Sequence, residues 1–311
     1  RGGDSSAVAA ALNNSSNKIT QIFSTNYAFA ALRSDGSVVT WGDSSSGGDS
    51  SAVTAELNNS SNKVTQIFSN GYAFAALRSD GSVVTWGDSL RGGDSSAVSA
   101  ALNNSSNKVT RIFSNGVAFA ALRSDGSVVT WGDSLRGGDS SAVTVALNNS
   151  SNRVTQIFSS SGAFAALRSD GSVVTWGHSN TGGDSSAVAE ALNNSSNRVT
   201  LIFSTDGAFA ALRSDGSVVT WGYWDSGGNS NGVDFDGPAN NLRVVGFSKV
   251  NFDPNNLPTG TPTITGTLIP GSTLTIDASG IQDTDNFSGY TPNHQYTWEV
   301  SNDGTNWSKL N

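Results

Sequence analysis

The chain has 311 residues, a net charge of −8 and a charged fraction of 14%, well below the roughly 25% of typical soluble domains. Lys and Arg number 17 against 25 Asp and Glu, which argues against nucleic acid as a partner, because phosphate binding needs clustered cations. The absence of Cys excludes disulfides and thiolate sites, and two His, His178 and His294, argue against a multi-His metal site. No apolar run is long enough to span a membrane.

A 45-residue repeat organises the first part of the chain. The pair Gly-Gly recurs at intervals of 45 residues from Gly2 to Gly227, and a Trp recurs in the same way from Trp41 to Trp221. The repeat array therefore has five units and a degenerate sixth, which cover residues 1–45, 46–90, 91–135, 136–180, 181–225 and 226–250. One unit is too small to cover both faces of its own sheet. Neighbouring units must cover it, as they do in propellers and solenoids.

Each unit predicts one short helix followed by three strands. The segment GGDSSAVTAEL of the second unit predicts a glycine turn, an Asp or Ser N-cap and a helix that ends at Asn-Asn. VTQIFS, AFAALRS and SVVTWG are strand-like, and the Asp-Gly before the last strand, as at Asp35-Gly36, predicts a hairpin with a type I′ turn. The predicted fold class is an all-β propeller with about three to four strands and a short helix per unit, in which each Trp packs between adjacent blades.

The segment VTRIFSNGVAFAALRSDGSVVTWGDSLRGG of the third unit resembles the repeat of the regulator of chromosome condensation family. The matching residues are Val109, Ile112, Gly116, Ala121, Leu122, Asp125, Gly126, Val128, Trp131 and Gly132. The resemblance extends over all five units and implies a β-propeller of that family, of a bacterial type. The family's His is replaced by Ala or Phe, and its G-Q-L-G segment by GGDSSAV and a helix. The exchange-factor activity of eukaryotic members is therefore not carried over to this chain.

Residues 251–258 form a predicted linker to a second region, residues 259–311. This region alternates apolar and polar residues, with turn residues at intervals of roughly 8–12 positions. Three features resemble the immunoglobulin-like modules of giant secreted bacterial adhesins: Tyr296-x-Trp298, Ser301-Asn302-Asp303-Gly304 and Trp307. Such domains need about 90–100 residues. We therefore expect an incomplete module, a partial β-sandwich, in a chain that is a piece of a longer protein.

The sequence contains no catalytic constellation. His178 stands alone in a predicted loop, so a Ser-His-Asp arrangement is not expected, and we expect no catalytic residues and no enzyme activity. Oxygen-bearing side chains alternate in Asp43–Asp49, a pattern that suits Ca²⁺, but His178 and Tyr223 replace the first Asp in two units. The expected role of Asp49 is a helix cap. We therefore expect no metal site and no cofactor, with Ca²⁺ as the alternative.

The differences among the units are concentrated in two predicted loops and in the helix. In the first unit the loops are Thr25-Asn26-Tyr27 and Asp43–Ser46, and in the second unit the helix positions are Thr54-Ala55-Glu56. Binding residues tend to lie on loops held by a rigid scaffold, whereas unconstrained drift of the loops is the alternative explanation. The candidate partner-binding residues are Tyr27, Tyr72, Leu90, Arg91, Leu135, Arg136, His178, Tyr223 and Trp224.

Together these features predict a non-enzymatic segment of a large secreted or cell-surface bacterial protein. Its expected role is structural, adhesive or protein-binding, and its expected ligand is a protein or a surface glycan, with no nucleic acid and no membrane span. The alternative is a discrete protein-binding propeller, such as an enzyme inhibitor, for which aromatic or charged loop anchors are expected.

Overall fold

A computed structural model of the chain describes residues 3–229 and four short strands near the C-terminus. The chain divides into two compact units, Arg1–Lys249 and Val250–Asn311. The strands of the second unit form two antiparallel pairs, Thr263–Thr265 with Thr275–Asp277 and Glu299–Val300 with Ser308–Lys309. The rest of the predicted immunoglobulin-like module, the linker and residues 230–250 of the sixth repeat lie outside the described residues.

Each of the five repeats contributes a one-turn α-helix and three strands. The helices are α1 Ala9–Leu12, α2 Thr54–Leu57, α3 Ser99–Leu102, α4 Thr144–Leu147 and α5 Ala189–Leu192. The strands are β1 Ile19–Ser24, β2 Ala28–Arg33, β3 Val38–Gly42, β4 Val64–Ser69, β5 Ala73–Arg78, β6 Val83–Gly87, β7 Val109–Ser114, β8 Ala118–Arg123, β9 Val128–Gly132, β10 Val154–Ser159, β11 Ala163–Arg168, β12 Val173–Gly177, β13 Val199–Ser204, β14 Ala208–Arg213 and β15 Val218–Gly222. Within the described part of the chain, no helix is long and apolar enough to cross a membrane.

Short 3-10 helices occupy two places in each unit. One set precedes the α-helices: Ser6–Val8, Ser51–Val53, Ser96–Val98, Ser141–Val143 and Ser186–Val188. The other set follows the third strand: Ser44–Ser46, Ser89–Arg91, Ser134–Arg136, Ser179–Thr181 and Trp224–Ser226. Oδ1 of Asp49 accepts a 2.8 Å hydrogen bond from the N–H of Ser51, at the start of a helix of the first kind. The N-cap of that 3-10 helix is Ser50 and that of α2 is Val53, and neither makes a side-chain cap bond. The prediction of an Asp or Ser N-cap for the α-helix is therefore wrong, because the 3-10 turn comes first.

The three strands of each unit form one antiparallel sheet with the second strand in the middle. In the second unit Ala73 of β5 pairs with Gly87 of β6. The pairing of β4 with β5 contains a bulge at Thr65, whose hydroxyl donates a 3.1 Å bond to the carbonyl oxygen of Leu77. The same register shift recurs in every unit, so all five sheets are built alike.

The Asp-Gly hairpin is present in every unit, but its connection is longer than a type I′ turn. The N–H of Arg33 donates to the carbonyl oxygen of Ser37 at 2.9 Å, and the N–H of Gly36 donates to that of Arg33 at 2.9 Å. The connection is therefore three residues, Ser34, Asp35 and Gly36, with Gly36 in the left-handed region at φ 85°. The prediction of a two-residue turn is wrong, because this arrangement needs only its last residue at positive φ.

The core lies between successive sheets. Adjacent residues of a strand face opposite sides of the sheet, and in β5 both sides are covered. Phe74 and Ala76 pack against the first unit. Ala73, Ala75 and Leu77 pack against the third. This burial on both faces explains why AFAAL is apolar throughout. The face-to-face packing of three-stranded blades confirms the predicted all-β, propeller-type array for the described repeats.

A Trp lies at the centre of each contact between units. Trp86 is 4% exposed, and its ring stacks on Phe74 at a centroid distance of 5.1 Å. Its Nε1 donates a 3.0 Å hydrogen bond to the carbonyl oxygen of Gly47, in the turn that follows the third strand of the preceding sheet. The equivalent bonds join Trp131 to Gly92, Trp176 to Gly137 and Trp221 to Gly182. The prediction that Trp packs between adjacent blades is confirmed for these four residues.

The first unit differs from the others on its outer side. Ile22 of β1 is 53% exposed, whereas its counterpart Ile67 in β4 is 2% exposed. Phe29 and Trp41 are likewise only half-buried, although their counterparts in the next four units are buried. Among the described residues, the first blade therefore lacks the preceding neighbour that covers every later blade.

Candidate partner-binding face

The two variable loops of each unit lie side by side at one end of its sheet. In the second unit the side-chain amide of Asn70 donates a 2.7 Å bond to the carbonyl oxygen of Arg91. The N–H of Asp88 also donates a 3.1 Å bond to the carbonyl oxygen of Tyr72. The side chains that make the first bond in the other units are Thr25, Asn115, Ser160 and Thr205. The fold thus joins two segments that are about twenty residues apart into one surface.

Backbone hydrogen bonds connect these surfaces from one unit to the next. The N–H of Asn26 donates to the carbonyl oxygen of Gly71 at 3.0 Å, and that of Gly71 donates to Gly116 at 3.1 Å. Gly116 continues to Ser161 at 3.1 Å, and Ser161 to Asp206 at 2.9 Å. The resulting continuous surface, the variable loop face, comprises residues 25–27, 43–46, 70–72, 88–91, 115–117, 133–136, 160–162, 178–181, 205–207 and 223–226.

All nine candidate binding residues lie on the variable loop face, and three of its large apolar side chains are strongly exposed. Leu90 is 78% exposed, Leu135 77% and Trp224 66%. Each lies in the 3-10 helix that follows the third strand of its unit, where the side chain projects from a short turn. Such exposure keeps large apolar side chains in water, so contact with a partner would be favourable.

Aromatic and charged side chains of the first two units form a preassembled cluster. The rings of Tyr27 and Tyr72 lie 6.4 Å apart, centroid to centroid, at a tilt of 55°. The guanidinium carbon of Arg91 lies 4.4 Å from the centroid of the Tyr72 ring, and its Nη1 lies 2.5 Å from Oδ2 of Asp88. Ring and carboxylate together hold the Arg91 side chain in place.

The aspartates of the second loop serve as structural caps. Oδ1 of Asp133 accepts bonds from the N–H groups of Leu135 at 3.0 Å and Arg136 at 3.1 Å. At the equivalent positions His178 and Tyr223 make no side-chain cap bond, although the same 3-10 turn forms. Among the described residues there is no group of three or more His, Cys, Asp and Glu that could hold a metal ion.

The third variable patch lies away from this face. Val145 of α4 is 88% exposed. The helix ends at Leu147, and Oδ1 of its C-cap residue, Asn148, accepts a 3.0 Å bond from the N–H of Val128 at the start of β9. That end of the sheet carries the Asp-Gly hairpins and is opposite the variable loop face. The helix residues therefore do not join the nine loop candidates.

The chain matches no protein-family model and no curated protein. Among solved structures, human WBSCR16 aligns over 66% of this chain and 62% of its own, with 18% identity and a TM-score of 0.43. Prp20p from Saccharomyces cerevisiae, described with its binding to Gsp1p and histones, aligns over 66% and 57% with 18% identity and a TM-score of 0.44.

The ectodomain of the Arabidopsis thaliana receptor kinase ACR4 aligns over 67% of this chain and 65% of its own, with 16% identity and a TM-score of 0.40. The aligned part thus spans less than two thirds of each of these three proteins. The likeness is distant, and it assigns no role to any residue of this chain.

Proposed function

We propose that the array is a non-enzymatic protein-binding scaffold, and that it belongs to a large secreted or cell-surface bacterial protein with a structural or adhesive role. One observation carries the proposal. The loop differences among otherwise nearly identical units lie together on one continuous face, where large apolar side chains are exposed. A constant frame with variable loops is the arrangement expected of a binding scaffold.

The chemistry of the variable loop face suits a protein partner. Tyr, Trp and Arg are the residue types most enriched at the energetic centres of protein interfaces. The face holds the partly exposed Tyr72 and Arg91 and the exposed Trp224. Arg91 is already oriented by Tyr72 and Asp88, which reduces the entropy lost on binding. A surface glycan is the second ligand class, since the Tyr27 and Tyr72 rings offer aromatic surface.

The repetition of anchors favours an adhesive or structural role over a discrete inhibitor. The same pair of residues, Leu and Arg, occurs in adjacent units as Leu90-Arg91 and Leu135-Arg136. Repeated anchors suit a partner that is itself repetitive or multivalent, because linked weak contacts add avidity. The single pair Tyr223-Trp224 is the feature that supports the alternative, a propeller that inhibits one enzyme.

The experiment compares two ways of removing exposed apolar side chains. The variant Leu90→Ser with Leu135→Ser removes two anchors from the face, and Val145→Ser removes an equally exposed side chain from α4. Proteins captured from extracellular extracts on the full chain are identified, purified and titrated against each variant. We expect the double variant to weaken binding by about tenfold or more, while Val145→Ser binds like the unchanged chain. If the unchanged chain, the double variant and Val145→Ser all bound the captured protein equally, the proposal would be refuted.

A further inference from the structure

A second surface, which is positively charged, lies at the end of the sheets opposite the variable loop face. One cation precedes the first strand of each unit, at Lys18, Lys63, Lys108, Arg153 and Arg198. One Arg ends the second strand of each unit, at Arg33, Arg78, Arg123, Arg168 and Arg213. With the five hairpin Asp residues, these ten cations give a net charge of +5 in a chain whose net charge is −8. We call this surface the basic face.

The basic face is continuous from unit to unit. The carbonyl oxygen of Lys63 accepts a 2.9 Å bond from the N–H of Ser79, in the hairpin of its own unit. The N–H of the next residue, Val64, donates a 3.1 Å bond to the carbonyl oxygen of Gly36 in the preceding hairpin. Lys63 therefore lies between two successive hairpins. The same pair of bonds fixes Lys108, Arg153 and Arg198, so cations and hairpins alternate along the array.

The strand-end arginines offset the hairpin carboxylates, since Arg33 acts electrostatically on Asp35, but the exposed column of Lys18 and its counterparts forms no ion pair among the described residues. Both ion pairs among the described residues lie on the variable loop face instead. The Asp35 carboxylate accepts hydrogen bonds from the N–H and hydroxyl of Ser37. The Nε atoms of all five strand-end arginines are buried without a hydrogen-bond partner, while Lys18 and its counterparts are exposed.

We propose that the basic face binds a linear acidic polysaccharide that carries carboxylate or sulfate groups. The cations recur once per unit, so a polymer with regularly spaced anionic groups can contact several units at once, and the weak contacts add. Between the cations, each hairpin carries an Asp carboxylate and a Ser hydroxyl, as at Asp35 and Ser34. The side-chain amide oxygen of Asn17, which precedes β1, lies beside them and accepts bonds from the Ser34 hydroxyl and the Asp35 N–H. Such polar groups can hydrogen-bond to the sugar hydroxyl groups that lie between the anionic groups of the polymer.

Two other polyanionic partners fit this surface less well. Duplex DNA carries one charge per roughly 1.7 Å of its axis, so its phosphates would also face the five hairpin carboxylates. The hairpin connections, such as Ser34-Asp35-Gly36, have no aromatic ring on which a base could stack. They also have no large apolar side chain to enter an anionic membrane. The repeated alternation of charge favours the polysaccharide.

The test measures binding of the full chain to heparin oligosaccharides and to oligogalacturonates, with duplex DNA, phosphatidylglycerol vesicles and neutral dextran in parallel. Lys63→Gln with Lys108→Gln removes two cations from the basic face. Arg111→Gln removes an exposed cation from β7, outside both faces, and controls for the loss of charge alone. Lys63→Arg with Lys108→Arg keeps the charge and controls for other effects of substitution at these positions.

We expect the basic-face double variant to bind one of the acidic oligosaccharides about tenfold more weakly, and the other two variants to bind it within about twofold of the unchanged chain. The affinity should rise with oligosaccharide length and fall with salt. The inference is overturned if the unchanged chain binds neither acidic oligosaccharide. It is also overturned if both charge-removing variants lose binding equally, or if DNA or vesicles bind more tightly at the same ionic strength.

Discussion

The indole Nε1 of Trp86 donates a 3.0 Å hydrogen bond to the carbonyl oxygen of Gly47, which lies 39 residues earlier in the chain. This contact accounts for two of the most regular features of the sequence, the recurring Trp and the recurring Gly-Gly. The turn at Gly47 has φ +96°, and a Cβ there would lie 2.5 Å from Cδ2 of Phe74. Only glycine allows the turn to approach the Phe-Trp stack of the next blade so closely.

Removal of the indole donor should weaken the contact between blades. Trp86→Phe keeps a ring against Phe74 but leaves the carbonyl oxygen of Gly47 without this donor, and we expect the free energy of unfolding to fall by about 1–3 kcal/mol. Trp41 is half-buried, whereas Trp86 is 4% exposed, so Trp41→Phe should cost less. Urea denaturation of both variants measures the difference. Equal losses would show that the burial of the Trp side chain between blades does not set the cost.

The energetic cost of a side chain at the Gly-Gly turn has two parts, the steric clash and the backbone strain, and two variants can separate them. Gly47 and Gly227 have similar φ angles, +96° and +91°, but a Cβ at Gly227 would meet nothing within 4 Å. Gly227→Ala should therefore cost only the backbone strain, about 1–2 kcal/mol, whereas Gly47→Ala should cost that strain and a further 1–3 kcal/mol for the clash with Phe74. Thermal unfolding of the two variants tests this order, and a larger loss for Gly227→Ala would contradict it.

Because the first blade is uncovered on one side, replacing the same Ile of the repeat by Ala should destabilise the fold less in the first unit than in the second. Ile67 is 2% exposed and Ile22 is 53% exposed, although both occupy the same position of the repeat. Ile67→Ala should lower the free energy of unfolding by about 2–5 kcal/mol, and Ile22→Ala by less than about 1 kcal/mol. Chemical denaturation of the full chain measures both. If the losses were equal, a neighbour would have to cover the first blade in solution.

The hairpin carboxylates should make stability depend on acid pH. The hydroxyl and the N–H of Ser37, together with Asn17 and Arg33, lower the pKa of Asp35 to about 2 from 3.8, against the opposing effect of burial. A carboxyl whose pKa is lower in the folded state stabilises the fold above its unfolded pKa, and this stability is lost as the pH falls from about 4 to about 2. Ser37→Ala should raise the pKa of Asp35, as measured by carboxyl ¹³C NMR titration. An ordinary pKa for Asp35 in the unchanged chain would contradict the account.

Periodicity predicted the blade because each strand meets the same surroundings in the second to fifth units. AFAAL indicated a strand, the small size of one unit indicated that neighbours cover both faces of its sheet, and the Asp-Gly indicated a hairpin. The turn type did not follow from the dipeptide, because the choice depends on where pairing ends, here between Arg33 and Ser37. Asn58 also connects two blades, since its Oδ1 accepts a 3.0 Å bond from the N–H of Val38. The sequence did not predict this contact, because Asn-Asn was interpreted only as the end of the helix.

The candidate site was predicted as separate loops, and its assembly required the structure. Nothing in the local sequence links Asn70 to Arg91, yet their hydrogen bond makes one surface of two loops. The sequence did not predict the basic face either, because the net charge of the whole chain does not show where its cations lie. The recurrence of Lys or Arg at the position of Lys18 in all five units was a visible signal. Its meaning depended on the contact between each cation and the preceding hairpin.

The most direct test of the proposed function is amide hydrogen exchange on the full chain, with and without a protein captured as described above. The account predicts that binding slows exchange in residues 70–72, 88–91, 115–117 and 133–136, because a partner covers the variable loop face. Exchange in the helices α2 and α4, on a different surface, should not change. Slowed exchange confined to those helices, with none in the variable loops, would contradict the account.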